Sequence, residues 1–566
     1  MYANDQTHDY VSVLPRPNVG RGYATHEIEN MPSELPEKNL YDDDRILKEA
    51  IHRHGAGWAD EKLRVCGAVT GSARMRDLAR LANENTPVLK THNRIGQRID
   101  FVEYHPAYHE LMEAAWKSEV HSLAWTTNEK RPQVARAALS YMWNQTENGV
   151  MCPSTMSYAI VPLLRSDPAA GNPWLDKILA RDYDPRPLPG NEKTAITTAM
   201  SMTEKQGGSD LRANSSRAVP TGNDREYLLT GHKYFCSAPM GDIVLLTAQT
   251  EAGVTLFVAP RTLPDGTRNS IRVQRLKDKV GNRSNASSEI EFDNAIAYRI
   301  GEDGHGIRAF IKNMTHYIRM DFAIAAAGMM RQALNLAIHH TSQRKAFGRT
   351  IRDLPMMRNT LADLAIEAEA AMLLGLRVAK SVDDAQMSEA EQHLNRILVP
   401  IGKYWNCRRV SSVALEALEC HGGMGYVEEQ PIARLYREAP LNSIWEGTSA
   451  VMGLDVMRAM KTDGALDALM NEINEAKGAD RHFDAFADGV KADVANCAEM
   501  FEPHARRLMS RIAVAVQGSL LIRQSTAEVA DAFCASRLGG EWAHEYGTLK
   551  FGDAGLKAIV DRAALR

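Results

Sequence analysis

With 566 residues, 44% of them hydrophobic and 24% charged, the chain has an ordinary soluble composition and the length for several domains. Its formal net charge of -4 provides no global positive field, so charge alone announces no nucleic-acid partner. Seven scattered cysteines without a CxxC pair argue against a disulfide framework or a zinc site and fit a reducing compartment.

No signal-like pattern opens the chain and no apolar run reaches about 18 residues. Cytoplasm is therefore the default location, with no membrane span. Residues 1–40 carry Pro15, Pro17, Pro32 and Pro36, which interrupt regular structure. They predict an arm laid over the surface or over a neighbouring subunit. Residues 41–190 predict a helical N-terminal domain, with Ile46, Leu47, Ala50 and Ile51, then Leu78, Leu81 and Ala82, at helical spacing. His105 and His109 are four apart, but no acidic or cysteine partner sits at a matching offset, so no metal site is expected. Pro168, Pro173, Pro185, Pro187 and Pro189 mark a boundary.

From 191 to 303 the pattern turns to short strands: Tyr227–Thr230, Asp242–Thr247, Val254–Val258 and Ser288–Phe292. This predicts a small barrel or sandwich. From 304 to 460 the helical period returns, in Ile307, Phe310, Ile311 and Met314 and in Ala326, Met330, Leu334 and Ile338. Long antiparallel helices are the economical reading. Residues 461–566 form a further helical extension, acidic as a whole but basic from Ala505 onward. In it, Ala513–Val516 and Leu520–Ile522 predict a buried helix.

Three stretches carry the chemistry. Asn442-Ser443-Ile444-Trp445-Glu446-Gly447-Thr448-Ser449 sets one carboxylate between a large ring and a glycine. A carboxylate beside an apolar ring has its proton affinity raised by desolvation, as a general base needs; the plain alternative is a helix N-terminal Glu favoured by the dipole. Met202–Asp210, MTEKQGGSD, offers backbone N–H groups at Gly207 and Gly208 and hydroxyls at Thr203 and Ser209, or else is an ordinary strand-leading turn. Arg344 and Phe347 lie three apart and are expected on one helix. No GxGxxG follows a strand and no P-loop is present, so any dinucleotide is held by other means. Gly422-Gly423-Met424-Gly425 reads as a helix break.

Together these stretches resemble the acyl-CoA dehydrogenase family of flavoproteins, from about residue 50 to about 460. The detail MTEKQGGSD, GHKYF, LKDKVGNRSNAS and LYREAPLNSIWEG resembles its AidB-type branch, which joins flavin binding to a role proposed in the response to DNA alkylation. The resemblance implies a mainly α fold with a central β domain: a helical N-terminal domain, a β-barrel middle domain and a helical bundle, here with a C-terminal helical extension. It implies FAD as cofactor, an acyl-CoA substrate, an unidentified electron acceptor and a homotetramer with FAD at subunit interfaces. Glu446 is the implied base. Met202, Thr203, Gly208, Ser209, Tyr234, Phe235, Ser237, Ile444, Trp445, Gly447, Thr448 and Ala450 are the implied FAD contacts, with Arg344 and Phe347 reaching the cofactor of another subunit. Arg319 and Trp445 are expected at the substrate.

Some relatives carry the base just before the arginine matching Arg319, and Ile318 stands there, leaving Glu446 without a rival. Pro355 and Ala450 replace polar residues that usually touch FAD. In place of the usual tyrosine, Trp445 suggests a differently shaped cavity and short or branched acyl chains. The branch also implies an alternative: an alkylation-response protein that binds duplex DNA, with weak or vestigial dehydrogenase activity. Arg458 and Arg537 would then line a basic groove, with Arg506, Arg507 and Arg511 nearby in sequence. Third, an oxidase on the same scaffold would differ in letting oxygen reach the reduced flavin.

Overall fold

The computed structural model describes residue 26, residues 28–495 and residues 501–565. Pro15 and Pro17 of the expected arm, and Cys497, lie outside the described residues. From Ile28 to Leu40 the chain runs without helix or strand along the protein. Ser33 N–H donates to Gln343 (2.8 Å), and the Asn30 amide exchanges two hydrogen bonds with the backbone of Lys345 (3.0 and 2.7 Å).

The N-terminal unit contains α1 (Arg45–Arg53), α2 (Asp60–Thr70), α3 (Ala73–Glu84), α4 (Pro106–Lys117), α5 (Pro132–Thr146) and α6 (Met151–Arg165). Asp44 caps α1 by accepting from Leu47 N–H, and Ser72 caps α3 by accepting from Met75 N–H. The apolar stripe Ile46, Leu47, Ala50 and Ile51 is buried, as its period requires. Helices α5 and α6 are buried along nearly their whole length. An antiparallel hairpin, β1 (Val88–His92) and β2 (Arg98–Glu103), interrupts the helices. The helical reading missed it because its strands are short and exposed on much of their surface.

Seven strands follow: β3 (Thr198–Ser201), β4 (Arg217–Pro220), β5 (Glu226–Ser237), β6 (Ile243–Thr250), β7 (Gly253–Pro260), β8 (Ile271–Leu276) and β9 (Ser287–Ile300). They run in the order β3-β5-β4-β6-β7-β9-β8, and an added β5–β9 pairing closes the sheet into a barrel. Leu229, Val244, Leu246, Phe257, Ile290 and Phe292 fill its interior as a core of their own.

The bundle is built from α7 (His316–Gln343), α8 (Pro355–Asp384) and α9 (Glu389–Glu419), with α10 (Pro431–Glu438) and α11 (Ser449–Met460) at one end. Ala326, Met330, Leu334 and Ile338 are buried along α7. The expected stripe before it is broken: residues 311–315 form a π turn, and Ile311 is exposed rather than buried. The extension adds α12 (Ala465–Asn474), α13 (Arg481–Ala495), α14 (Phe501–Gln524), α15 (Ala527–Phe533) and α16 (Asp553–Ala563). Helix α14 buries Ala513–Val516, Leu520 and Leu521 and packs on α8, α9 and α11. Arg562 reaches Glu369 (3.1 Å) and Glu49 (3.2 Å), tying the extension to both bundle and N-terminal helices.

Candidate active site

Between α10 and α11 the chain makes a short 3₁₀ turn, Leu441–Ser443, and then the segment Ile444–Thr448. Trp445 stacks on Phe322 of α7, with ring centroids 5.2 Å apart and planes at 15°. Its indole N–H donates to Asn442 Oδ1 (2.9 Å). It also packs on the small cluster of Cys152, Met156 and Ala238 that joins α6 to the barrel. Trp445 therefore stands where all three layers meet.

Glu446 has φ +54° and Gly447 φ +112°. Two consecutive residues at positive φ are costly, the more so when one is a glutamate. Glycine suits position 447 because a φ of +112° is one that residues with a side chain rarely adopt. Two buried cations hold the turn by its carbonyls. Arg319 Nε donates to Glu446 O (3.1 Å), and Lys403 Nζ, from α9, donates to Gly447 O. Arg319 is itself fixed by Asp455 Oδ2 (2.6 Å), and Asp455 Oδ1 also receives Arg396 (2.8 Å). Among the described residues, no donor forms a hydrogen bond to the Glu446 carboxyl group. Burial raises its pKa, against the nearby charges of Arg319 and Lys403. Ile318, where some relatives carry a base, is buried.

The Met202–Asp210 loop comes off β3 beside β5. Met202 is buried, and Tyr234 N–H donates to Thr203 O (2.8 Å). Glu204 turns inward, where it meets Lys233 (2.7 Å) with both side chains fully buried and accepts from the backbone of Ser215 and Ser216. That inner ion pair shapes a tight turn, Glu204–Gly207, and leaves Gly208 and Ser209 exposed. A Cβ on Gly208 would lie 2.7 Å from Thr203 Oγ1, so only glycine leaves that hydroxyl bordered by bare backbone. On β5, Tyr234 and Ser237 are half-buried and Phe235 is exposed, while Lys277 Nζ sits 3.3 Å from the Tyr234 ring centroid. In the segment that carries Glu446 and at the start of α11, Ile444, Thr448 and Ala450 are exposed.

Arg344 and Phe347 do not share a helix. Helix α7 ends at Gln343, and Lys345–Ala346 pairs with Arg349–Thr350 as a two-stranded turn. Phe347 (φ +52°) and Gly348 (φ +73°) form its tip, since positive φ at both residues cannot continue a helix. Phe347 is 92% exposed, and Arg344 donates to Asn30 O (2.6 Å) on the N-terminal arm. Pro355 opens α8 at its first position. The placement of Arg537 also departs from expectation. It is buried, pairs with Asp363 (2.5 Å) and Glu367 (3.2 Å), and so is no groove arginine. Arg511 pairs with Asp493 (2.7 Å), whereas Arg458 is exposed.

Residues 30–185 match the adaptive response protein AidB N-terminal domain; 199–295 and 304–461 match the acyl-CoA dehydrogenase middle and C-terminal domains. AidB of Escherichia coli (strain K12) is 41% identical over 516 residues, 90% of this chain and 94% of that protein. The chain belongs to the acyl-CoA dehydrogenase family, in its AidB branch. Acyl-CoA dehydrogenase family member 11 of Caenorhabditis elegans is 28% identical over 445 residues, 74% of this chain and 70% of that one. The fold is that of Caenorhabditis elegans ACDH-11 solved with C11-CoA, at TM-score 0.82 and 24% identity over 98% of both chains.

Members of this family are FAD-dependent flavoproteins. The residues here fit the cofactor's chemistry. A flat ring with polar edges suits the exposed Phe235 and Ile444, the hydroxyls of Thr203, Ser209 and Thr448, and the bare backbone at Gly208. Lys403 and Asp455 escaped the sequence reading. The one available signal was a lysine on the apolar face of a long helix, which periodicity alone treats as a lapse.

Proposed function

We propose that this chain is an FAD-dependent dehydrogenase of an acyl-CoA thioester, with Glu446 as the base that removes the α-proton. The observation that carries the reading is the Glu446 carboxyl group, without a hydrogen-bond donor among the described residues, on a turn whose two carbonyls are pinned by buried cations. A partly buried carboxylate binds a proton more readily, and a pinned turn holds it in one orientation. When bound, FAD supplies the two-electron acceptor for the hydride that leaves the β-carbon. The α-proton passes to Glu446 and the two carbons become doubly bonded, so the enoyl-CoA carries two hydrogens fewer.

Thr203, Gly208, Ser209, Tyr234, Phe235, Ser237, Ile444, Trp445 and Thr448 would hold the isoalloxazine end. Arg344 and Phe347 would serve a neighbouring subunit. The exposed apolar tips Phe347 and Met356 support a homotetramer, which we place in the cytoplasm. Trp445 stacked on Phe322 favours short or branched acyl chains. Anaerobic titration of the yellow protein with such acyl-CoAs tests the reading by loss of visible absorbance together with the enoyl product by mass. No bleaching by any acyl-CoA would remove it. The duplex-DNA alternative then rests on the exposed Arg458, Arg506 and Arg507, without Arg537.

A further inference from the structure

Lys403 lies near the middle of α9, a helix whose other buried residues are mostly apolar. Its side chain is 1% exposed, and among the described residues its only hydrogen-bond partner is the carbonyl oxygen of Gly447. An ammonium has three N–H donors and is costly to bury, so a single backbone acceptor does not account for a charge at this position by stability alone. Replacing it by an apolar residue of similar length would be the cheaper packing solution. The charge does, however, face the one group in the vicinity that has a use for it. The Glu446 carboxyl group is one residue from that acceptor, feels the ammonium's field and, among the described residues, receives no hydrogen bond.

We infer that Lys403 is the positioning residue of the Glu446 base: it fixes the Gly447 carbonyl, so holding the positive-φ turn, and its charge favours the ionised form of the carboxyl group. This role rests on the reading of Glu446 as the base and adds the group that tunes it.

The surroundings of the pair are defined. From α7, Arg319 faces the turn, with Asp455 of α11 and Arg396 of α9 behind it. His316 lies beside this group, and burial pushes its pKa down to about 4, so it stays neutral near pH 7. From α9 itself, the Cys407 thiol faces Lys403 and is pushed up to about 12 by burial. Arg319 is held against Asp455 and gives the larger of the two charge effects on Glu446. Among the described residues Lys403 has no carboxylate bonded to it, and its charge adds to that of Arg319.

The test is an infrared pH titration of the FAD-loaded protein. The carboxyl C=O stretch of Glu446 is assigned as the band missing in Glu446→Gln. In Lys403→Met the midpoint of that band moves up by about one pH unit, because a nearby positive charge lowers a carboxyl pKa and its removal raises it. Lys403→Arg keeps the charge and restores the midpoint to within a few tenths of a unit. Lys403→Gln, neutral but still a donor, covers the case in which arginine is too large to fold. It shows the shifted midpoint with a smaller loss of bleaching rate than Lys403→Met. An unshifted midpoint in both neutral variants would overturn the inference. A wild type that bleaches with no acyl-CoA would sink the dehydrogenase reading instead, while the infrared midpoint still decides the coupling.

Discussion

Arg319 Nε lies 3.1 Å from the carbonyl oxygen of Glu446, on a turn that the same side chain reaches from Asp455 (2.6 Å). Arg319, expected at the substrate, grips the backbone that carries the base. Its planar fork bridges two acceptors that a single ammonium cannot reach together. Arg319→Lys should lower the anaerobic bleaching rate about 10–100-fold, the cost of a misplaced catalytic group, with FAD content unchanged. Rapid mixing with acyl-CoA checks this, and an unchanged rate would show that the carbonyl contact does not matter.

The raised pKa of Glu446 has two signed consequences. Bleaching should speed up as pH rises through that pKa and level off above it, because the base acts when ionised. Stability should run the other way. The folded protein keeps a proton that the unfolded chain has already lost, so stability falls as pH rises from the unfolded value through the folded one. Above that window Glu446→Gln, which has no charge to bury, should melt about 1–2 °C higher than wild type. A lower melting point would place the carboxylate in a favourable environment and contradict its burial.

Glu204 and Lys233 form an ion pair at 2.7 Å with both side chains wholly buried. Lys233→Met should cost about 3–5 kcal/mol, since it strands a carboxylate without its partner. The loop that presents Gly208 and Ser209 hangs on Glu204, so FAD should be released at lower temperature than in wild type. The double variant Lys233→Met/Glu204→Met should recover most of the loss. Thermal melting with flavin fluorescence separates protein unfolding from cofactor release.

Arg537 and Arg458 separate structure from surface. Arg537→Ala leaves Asp363 and Glu367 facing an empty site and should destabilise by about 3–5 kcal/mol. Arg458→Ala should change stability by less than about 0.5 kcal/mol. If the protein retains duplex DNA, Arg458→Ala should weaken it and reduce the salt dependence by about one counterion. DNA retention that is indifferent to Arg458 would remove that residue from any groove.

Much of this was legible in the residues. The buried stripes of α1 and α7, the four longest barrel strands and the buried stretch of α14 all announce themselves by period. Strands β3, β4 and β8 and the β1–β2 hairpin did not, being short and held mainly by their pairing partners. Arg344 and Phe347 share a helical spacing, but the helix ends at Gln343, just before them, and spacing does not record where a helix stops. Arg537 read as a surface cation because sequence shows its charge and not the two carboxylates that α8 brings beneath it. Lys403 is the converse: a charge on a buried helix face has meaning only once the Gly447 carbonyl is seen above it.

The central claim is that Glu446 takes the α-proton of an acyl-CoA. The most direct measurement is a single anaerobic turnover of FAD-loaded wild type and Glu446→Gln with one short-chain acyl-CoA. Absorbance loss and enoyl product would be followed together. Wild type should bleach and yield the enoyl-CoA, and Glu446→Gln should be slower by about a thousandfold while binding FAD and ligand as before. Equal rates in the two proteins would contradict the assignment of the base.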